Sequence, residues 1–521
     1  MQTQLIRKDL PESLRPDARD ARLPAQPGDG FRNLFHMHEA AEAERWRGCG
    51  SAGETLAMLQ RVAAAMMRPP ETAEGEPPRV GTLPSGYAYL AQFAAHDFQF
   101  STNEAVYPPR TVEGAALRRR RLLLETLYRE GPERDPELFG EGADALAPYR
   151  FRVGKFGPGV GVWRRTLPRG PRGTISGDPE IPLCAADARN DENPIVAQIA
   201  GLFMRLHNVA LRRLPQAEPA ARFEAARRVT RAAFRRVLFD DLAVRLLRGD
   251  VRALYERDGP RDPTSAETDD VPVEFSHCAF RAAHALVRSD YAMSENVNAG
   301  RPVNVREMIR HTSRRDPETF RRGRSWAVDW RRFFGAAALR AQPLGPHVNV
   351  FFAEAPGLLS AAQERDWHGH MIVRDLARGM EAGPLSVAAL SARVAPMFAG
   401  TPGPERWLAF DASRRGGAVA AWAGRDRTLA RWLPELCEDP PLYLYVLLEA
   451  AAPEELGGGG GRGFGALGSV VLAEMFYAAR AANRREVEDA PELEDDAWAV
   501  FGARGAPRDM DALLDFLGNG R

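Results

Sequence analysis

Apolar residues recur at alternating spacings of three and four along much of this chain, a pattern that predicts amphipathic α-helices. One such helix begins after Asn193, where Pro194 suits the first helical position. Its apolar face is formed by Ile195, Ile199, Leu202, Leu206 and Val209. Alternation with a period of two is scarce, and the sequence shows no internal repeat. The pattern therefore predicts a mainly α protein with short sheets at most.

Further helices are predicted from the same spacing and from residues typical of helix ends. One runs from Tyr87 through His96, with Ser85 as its candidate cap. The others are a long Ala/Arg helix over about 220–248 that is closed by Gly249, a helix over about 274–287, and one that begins near Leu385. The glycine run at 457–461 predicts a flexible surface loop.

Residues 1–80 are rich in proline, glycine and charge, which predicts a partly irregular N-terminal arm. Residues 81–521 are predicted to form one large domain. Of the 521 residues, 44% are apolar, enough for a sizeable core. The formal net charge is zero, so no global field favours nucleic acid or an anionic membrane as a partner.

The four cysteines lie far apart and show no zinc-type or disulfide-rich spacing. The N-terminus lacks the apolar segment of a signal peptide, and no apolar run reaches the length of a membrane span. These features predict a cytoplasmic protein without a membrane span. His368 and His370 have no third candidate ligand nearby, so a surface loop is a more economical interpretation than a metal site.

Two histidines lie in apolar helical surroundings. His96 shares a helix face with Gln92, which lies four residues earlier. His284 lies within the predicted helix over 274–287. A buried neutral imidazole is either a hydrogen-bonded core residue or a metal, heme or catalytic group. Neither position decides between these interpretations by itself.

A third candidate is Arg189, which lies in a charged segment directly before the helix at Pro194. An arginine in this place needs an anionic or polar partner inside the fold. Asp191 and Glu192 could simply suit the positive end of the helix dipole. Each of these features is common alone, so the interpretation depends on their combination.

Together, these residues resemble the motifs of the peroxidase–cyclooxygenase superfamily, which contains the animal-type heme peroxidases, and in particular its bacterial members. The matching motifs occur in the family's order over about residues 85–515. They are Gln92 with His96-Asp97, Arg189-x-x-Glu192 followed by Arg205-Leu-His-Asn208, Phe280-Arg281-x-x-His284, and Asp375 with Arg378.

The resemblance implies a large single-domain, mainly α fold in which one heme b is buried between distal and proximal helices. It implies that His284 binds the heme iron and that Asp375 accepts the second ring N–H of this histidine. Arg378 and Glu192 complete the implied cofactor-binding set. An alternative interpretation is that Asp375 pairs with Arg374 or Arg378 instead.

On the peroxide side, the resemblance implies catalytic roles for His96, Arg189 and Gln92. His96 would take a proton from hydrogen peroxide and return it to the departing oxygen. Arg189, which is always protonated, would stabilise the charge that develops there. The implied enzyme is a heme peroxidase that reduces hydrogen peroxide and oxidises a small organic or halide donor through a ferryl intermediate.

Several positions depart from the family pattern. Ala95 replaces a carboxylate that forms a heme ester in mammalian members, and Asn193 replaces a methionine that forms a sulfonium link. Glu192 is then the remaining ester-forming candidate, and the alternative is that it only caps the helix at Pro194. Arg281 stands where fatty-acid oxygenases carry a radical-forming tyrosine, which disfavours a tyrosyl-radical lipid dioxygenase.

The resemblance also bears on calcium. Asp97 matches a calcium ligand of the family, but Leu123 stands where a second ligand carboxylate is expected. Because calcium needs several oxygen ligands, the site is disfavoured, although Glu125 and Thr126 could complete it.

Other functions remain open at this point. One is a lipid hydroperoxide isomerase or a diol-synthase-like heme oxygenase. Another is a heme-binding sensor that has lost turnover, which the intact set of His96, Arg189 and His284 argues against. A catalase-like scavenger is a further possibility.

Overall fold

The chain is mostly helical, as a computed structural model shows, so the predicted mainly α fold is confirmed. The structure describes residues 31–35, 42–68, 81–101, 117–119, 122–140, 142–156, 165–171, 180–182, 185–266, 270–295, 300–313, 320, 326–353 and 371–518. Within these ranges the strands are two or three residues long and pair into two-stranded sheets, as expected. Cys184 and the pair His368 and His370 lie outside the described residues.

The chain packs into two compact units. The first unit comprises Met1–Leu83, Val244–Ser289 and Arg340–Ala478, and the second comprises Pro84–Ala243, Asp290–Leu339 and Ala479–Arg521.

The described part of the first unit contains the following α-helices, of which Leu442–Ala451 contacts the segment that carries His284. They are Ala52–Met66, most of Ala243–Leu246, Gly249–Asp258, Val350–Ala353, Met371–Ala382, Val387–Val394, Ala412–Ala423, Leu433–Glu438, Leu442–Ala451 and most of Ala466–Ala482. Two short strands, Phe31–Arg32 and Val271–Pro272, pair in parallel.

Part of the predicted N-terminal arm is regular, because Ala52–Met66 is an α-helix of 15 residues. Its start is a capping box, in which Ser51 accepts from the backbone N–H of Glu54 and Glu54 accepts from that of Ser51. Leu59, Val62 and Met66 on its inner face are fully buried. The signal was present in the sequence as Ser-x-x-Glu before an apolar run, and the proline-rich surroundings obscured it.

The predicted helix over 274–287 is helical, but its hydrogen bonds are not those of an α-helix. Glu274–Ala279 is a π-helical turn, in which Phe280 N donates to Phe275 O at 3.0 Å, and Arg281–Leu286 is a 3₁₀-helix. Wide turns of this kind occur often at functional sites. The change of pitch alters the direction of His284 from that of a continuous α-helix.

The prediction of a flexible glycine loop at 457–461 is wrong. Gly457, Gly458 and Gly459 are buried. A Cβ atom at Gly458 would lie 2.0 Å from Ala452 O, and one at Gly459 would lie 2.0 Å from Gly463 O. The run is a tight turn whose backbone approaches other backbone closely, and only glycine allows this approach.

In the second unit, helix Pro194–Arg213 packs against helices Gly86–Phe98 and Pro219–Val237. The α-helices are Gly86–Phe98, Glu125–Tyr128, Pro194–Arg213, Pro219–Val237, Val305–Arg310, Arg484–Val487, Leu493–Phe501 and Met510–Phe516. The antiparallel strand pairs are Gln99–Ser101 with Leu117–Arg119, Gly154–Lys155 with Arg165–Thr166, Arg169–Pro171 with Glu180–Pro182, and Asp290–Tyr291 with Val303–Asn304.

Three buried phenylalanine rings hold helix Gly86–Phe98 in the core of the second unit. Phe93 stacks on Phe203 with centroids 5.6 Å apart, and Phe234 meets both rings edge-on. Such pairs add to the free energy gained from burying apolar area. They fix the rotation of the helix that carries Gln92 and His96.

The predicted cap of this helix is wrong, because the Ser85 hydroxyl is buried and makes no hydrogen bond within the described residues. Instead, the backbone N–H of Gly86 donates to Phe333 O at 2.9 Å, and that of Ser85 donates to Leu339 O at 2.7 Å. A Cβ atom at Gly86 would lie 2.6 Å from Phe333 O, so glycine is required at this close approach.

Helix Pro194–Arg213 begins as predicted, with Pro194 at its first position and Asn193 as its cap. The Asn193 side chain accepts from the backbone N–H groups of Ile195 and Val196. Among the described residues this is the one helix long and apolar enough to cross a membrane, but 89% of its apolar window is buried inside the protein. It has the burial of a core helix.

The long Ala/Arg helix is also present, but Gly249 does not close it. Helix Pro219–Val237 continues through a π-helical turn at Leu238–Leu242 and ends at Leu246, and Gly249 begins the next helix. The helix predicted near Leu385 begins at Val387 with Ser386 as its cap.

The carboxylate of Glu274 is the basis of a stability prediction for the first unit. It is fully buried and accepts from the Asn33 side chain and from the backbone N–H groups of Leu34 and Leu385, each at 2.8 Å. We expect Glu274→Ala to lower the free energy of unfolding by about 3 kcal/mol or more, because three buried donors lose their acceptor. Urea unfolding followed by circular dichroism measures this, and Glu438→Ala at an exposed position of the same unit should stay within about 0.5 kcal/mol. Equal effects of the two changes would contradict the prediction.

Candidate functional site

The second unit concentrates buried polar groups in one short segment, residues 187–193, which we call the 187–193 turn. It consists of the 3₁₀-helix Ala188–Asp191 and its flanking residues, directly before helix Pro194–Arg213. Four of its side chains are almost fully buried: Asp187, Asn190, Asp191 and Asn193. Buried polar groups are costly unless they are paired, so the partners of this turn determine its conformation.

Arg189 has the anionic partner that the sequence predicted it to need, and that partner is Asp187. The Arg189 Nε lies 3.0 Å and 3.1 Å from the two carboxylate oxygens, and its Nη2 donates to the same carboxylate and to His96 O at 2.9 Å. Burial would raise the pKa of the Asp187 carboxyl, but Arg189 outweighs it and holds the pKa below its usual value. The pair therefore stays ionised and fixes the guanidinium beside His96.

His96 is buried, and its ring is oriented by Asn190. His96 Nδ1 lies 2.9 Å from Asn190 Oδ1, and Nε2 makes no hydrogen bond within the described part of the chain. Burial and then the positive charge of Arg189 lower the pKa of His96. The imidazole is therefore neutral at neutral pH, as a general base must be.

Gln92 lies beside His96 on the same helix and is held at both ends. Its Nε2 donates to Glu192 Oε2 at 3.0 Å, and its Oε1 accepts from Asn193 Nδ2 at 3.0 Å. Asn193 caps the following helix, and the Glu192 side chain accepts from Gln92. Glu192 therefore has a hydrogen-bond partner besides any interaction with the helix dipole, and its ester link to heme stays a prediction.

Asp191 does not act through the helix dipole alone. Its carboxylate is fully buried and pairs with both terminal nitrogens of Arg169, and it also accepts from the Ser313 hydroxyl at 3.0 Å. This pairing anchors the turn to the strand Arg169–Pro171.

In the first unit, His284 is paired with Asp375, as the resemblance implied. The distance from His284 Nδ1 to Asp375 Oδ2 is 2.8 Å, and the second carboxylate oxygen accepts from Arg281 Nη1 at 3.1 Å. Burial would raise the pKa of Asp375, but His284 and then Arg281 hold it below its usual value. His284 and Arg281 therefore account for the position of the Asp375 carboxylate without a pairing with Arg374 or Arg378. Arg378 lies on the same helix as Asp375, one turn later.

The donor set of His284 fits a heme iron better than a metal ion bound by protein side chains alone. Its Nε2 makes no hydrogen bond among the described residues, and about a third of its side chain is exposed, whereas Asp375 is buried. A ligating histidine usually donates its other ring N–H to a carboxylate in this way. No group of three or more His, Cys, Asp or Glu in the described ranges could hold a metal. One histidine suffices when a porphyrin supplies the other ligands.

Residues 122–129, which we call the 122–129 loop, resemble a calcium site together with Asp97. Two arginines hold this loop in place. Both oxygens of Asp97 accept backbone N–H groups, from Leu124 at 2.9 Å and from Thr126 at 3.2 Å. The carbonyl oxygens of the loop accept guanidinium groups instead: Arg231 Nε donates to Leu123 O at 2.7 Å, and Arg235 Nε donates to Leu122 O at 3.2 Å. The carbonyl oxygens of Leu122 and Leu123 already have partners, which disfavours calcium, and the absence of calcium stays a prediction.

The same loop contains strained backbone. Leu122, Leu124 and Arg129 have φ values of 45°, 54° and 46°, in the left-handed region that leucine and arginine rarely adopt. Strain of this kind persists where surrounding contacts over-determine the conformation. Arg231 and Arg235, both nearly fully buried, supply such contacts.

Sequence reasoning found the histidines and the arginine but missed the groups that orient them. These groups are Asp187, Asn190 and Thr126 in the second unit and Arg281 as a partner of Asp375 in the first. The spacing of Asp187 and Arg189, two residues apart, is compatible with a local ion pair and could have indicated one. The contact between Asn190 and Thr126 joins residues 64 positions apart and left no local signal.

One family model matches part of the chain. Residues 161–325 match the family model described as animal haem peroxidase. This range includes Arg189 and His284, and it does not include His96 or Asp375. No curated protein matches the sequence at a significant level.

Solved structures with the same fold include a peroxidase and fatty acid dioxygenases. Peroxidase A from Dictyostelium discoideum superposes with a TM-score of 0.58 at 13% identity, covering 96% of each chain. The fatty acid alpha-dioxygenase of Oryza sativa gives 0.51 at 12% identity, covering 99% of this chain and 88% of that one. The Arabidopsis thaliana enzyme gives 0.51 at 12% identity, covering 94% and 78%. At such identities the likeness shows the fold alone.

Because arginines hold the 122–129 loop in place, we expect that the stability of the protein does not depend on calcium. We expect EDTA to leave the urea midpoint unchanged, and Arg235→Met to lower the free energy of unfolding by about 2–4 kcal/mol because buried carbonyl groups lose their donor. The control is Arg236→Met, which removes only a solvent-exposed pair with Asp240 and should cost less than about 1 kcal/mol. A fall in stability with EDTA that calcium restores would contradict this account.

Proposed function

We propose that this chain is a heme peroxidase of the peroxidase–cyclooxygenase superfamily that reduces hydrogen peroxide and oxidises a small organic or halide donor. The match of residues 161–325 to the animal haem peroxidase family model supports this proposal. One observation carries the proposal: two histidines each have Nδ1 fixed by an acceptor and Nε2 left without a hydrogen bond in the described residues. A core histidine would have both nitrogens satisfied. His207 is such a residue, since it contacts Tyr128 Oη at 2.9 Å and Tyr149 O at 3.0 Å.

His284 is the proposed iron ligand, and Asp375 holds its ring. Bound heme supplies the redox centre at which the oxygen–oxygen bond of the peroxide is broken. Asp375 keeps the proton of His284 on Nδ1, so that Nε2 is available for the iron. Arg281 shares the same carboxylate, and its positive charge offsets the electron donation that an unpaired aspartate would give to the imidazole.

His96 is the proposed acid–base residue. Hydrogen peroxide, two protons and two electrons give two molecules of water, and one proton must move between the two peroxide oxygens as their bond breaks. Because His96 Nε2 is unprotonated in the neutral ring, it can accept this proton and return it to the departing oxygen. Gln92, held by Glu192 and Asn193, presents a further polar group on the same helix face.

Arg189 is the proposed electrostatic partner of His96. Negative charge develops on the departing oxygen, and a preorganised cation lowers the energy of that charge without reorganising during the step. Asp187 fixes the guanidinium in place and keeps it ionised, but it also offsets part of its charge. Arg189 therefore contributes chiefly through directed hydrogen bonds.

A second candidate function is fatty-acid oxygenation, because two of the solved structures with this fold are named fatty acid alpha-dioxygenases. One observation weighs against it. Arg281, at the position of the radical-forming tyrosine of such oxygenases, is committed to an ion pair with Asp375. The peroxidase therefore remains the leading proposal.

The first prediction for this function concerns the ligand. We expect His284→Ala to lose most of its bound heme after reconstitution, because one axial bond anchors the iron. Heme content per chain is measured by the pyridine hemochrome assay. His347→Ala, at a partly buried histidine of the same unit that contacts Met66 O, is the control and should retain heme. A full heme complement with a wild-type spectrum in His284→Ala would rule out this ligand.

The second prediction concerns how the rate of reaction with hydrogen peroxide depends on pH. The neutral form of His96 is the active base, and burial and Arg189 lower its pKa. The rate of reaction with hydrogen peroxide should therefore stay constant as pH falls through the ordinary imidazole pKa of about 6.5 and should decline only at lower pH. His96→Ala should slow the reaction by on the order of 10²–10⁴ while heme stays bound. Stopped-flow absorbance measures both, and an unchanged rate in His96→Ala would remove this residue from the mechanism.

The third separates the two candidate functions. Wild-type protein reconstituted with heme should oxidise a phenolic dye with hydrogen peroxide and consume little oxygen with linoleate or palmitate. Oxygen uptake is followed with an electrode. Rapid oxygen consumption with a fatty acid, in the absence of dye oxidation, would favour the oxygenase instead.

A further inference from the structure

We propose that Asn190 is a positioning residue that fixes the proton of His96 on Nδ1, so that Nε2 presents a lone pair whenever the ring is neutral. The inference rests on the proposed function, since it assigns the origin of the basicity of His96. Asn190 belongs to no motif of the resemblance on which the sequence predictions were based. It is 1% exposed, in the middle of the 187–193 turn.

The orientation of the Asn190 amide is determined by Thr126. Asn190 Nδ2 lies 3.1 Å from Thr126 O and 2.9 Å from Thr126 Oγ1. A backbone carbonyl only accepts hydrogen bonds, so the amide group that faces it must be the NH₂. A flipped amide would place two acceptor oxygens against each other in a buried place.

With the NH₂ group directed at Thr126, the amide oxygen of Asn190 faces His96. This oxygen accepts but cannot donate, and it lies 2.9 Å from His96 Nδ1. The ring nitrogen must therefore carry a hydrogen. In a neutral imidazole the other nitrogen, Nε2, is then unprotonated. The opposite tautomer would place two lone pairs in contact and would leave no base at Nε2.

Thr126 can perform this role because its own position is fixed. Its backbone N–H donates to Asp97 Oδ1 at 3.2 Å, and its side chain is fully buried. Asp97 follows His96 in the chain and also accepts from Leu124 N at 2.9 Å. The residue next to the base therefore holds the loop that orients the amide, and the amide in turn orients the base.

The other ionisable groups around His96 do not determine its tautomer. Arg189 lowers the pKa of His96, and Asp187 and Glu192 oppose it. Of these, Arg189 reaches the backbone carbonyl of His96, and none has a hydrogen bond to the ring among the described residues. Asn190 is the group in hydrogen-bonding contact with the imidazole.

Cyanide binding tests the proposal without turnover. Hydrogen cyanide must lose its proton to bind a ferric heme, so its association rate reports the base at Nε2 by the same acid–base logic as for peroxide. The probe is potassium cyanide, followed by the Soret absorbance across pH and expressed per bound heme. The variants are Asn190→Leu, Asn190→Asp and His96→Ala. Asn208→Leu is the control, at another buried asparagine of the second unit whose amide serves only the Phe151 backbone.

Asn190→Leu should slow cyanide association by about ten-fold or more. Asn190→Asp should keep a fast rate at high pH and move the acid limb upward by about one unit or more, because a carboxylate stabilises the protonated ring. Asn208→Leu should lower the melting temperature and leave both the rate and its pH dependence unchanged. The upward shift would show that the side chain at position 190 contacts the imidazole, and the slow rate of Asn190→Leu would show that this contact supports the base.

Wild-type rates and pH dependence in both Asn190 variants, together with a slow His96→Ala, would overturn the proposal and leave the proposed function intact. If Asn190→Leu fails to fold, an acid limb of Asn190→Asp that does not move from its wild-type position would overturn the proposal. A wild-type protein that binds no heme, or a His96→Ala variant with undiminished cyanide association, would overturn the proposed function and this inference with it.

Discussion

The second unit depends on the requirement that a single short turn satisfy several buried polar side chains at once. In the 187–193 turn, Asp187 holds Arg189, Asn190 holds His96, and Asp191 holds Arg169. Removing either partner of a buried ion pair leaves an uncompensated charge that costs about 3–5 kcal/mol. Few conformations of the turn satisfy all these contacts together, so the contacts restrict it to one. The same contacts set the position of the proposed base and of the guanidinium beside it.

His96 in the second unit and His284 in the first unit have the same hydrogen-bonding pattern. An acceptor oxygen fixes the proton on Nδ1, and Nε2 remains open within the described residues; the acceptor is the amide of Asn190 for His96 and the carboxylate of Asp375 for His284. The difference in acceptor suits the proposed roles. Burial and then the charge of Arg189 lower the pKa of His96, although the hydrogen bond to Asn190 opposes them, and a low pKa suits a base that must stay unprotonated. A carboxylate favours electron donation from His284 to a metal, and Arg281 moderates that effect.

The sequence was informative where chemistry and spacing coincide. Gln92 and His96 were placed on one face by their separation of four, Asn193-Pro194 marked the start of the core helix, and Arg189 was expected to need a buried partner. It was uninformative where geometry depends on distant residues. No local pattern indicates that Thr126 orients Asn190, or that Arg231 and Arg235 donate to the carbonyl groups of the 122–129 loop. The sequence also does not indicate that residues 274–286 form a π-helical turn followed by a 3₁₀-helix. The glycine run at 457–461 was interpreted wrongly as a flexible loop. Glycine is typical both of flexible segments and of tight turns where backbone approaches backbone closely, so its presence does not distinguish the two.

We propose that the chain holds one heme through a single histidine and uses it to react with hydrogen peroxide. The most direct measurement is the absorption spectrum of the wild-type chain titrated with hemin, recorded before and after one equivalent of hydrogen peroxide. The account predicts saturation at one heme per chain, a ferric spectrum typical of one histidine ligand, and a rapid spectral change with peroxide that a reducing donor reverses. Failure to bind heme, or a bound heme whose spectrum does not respond to peroxide, would contradict it.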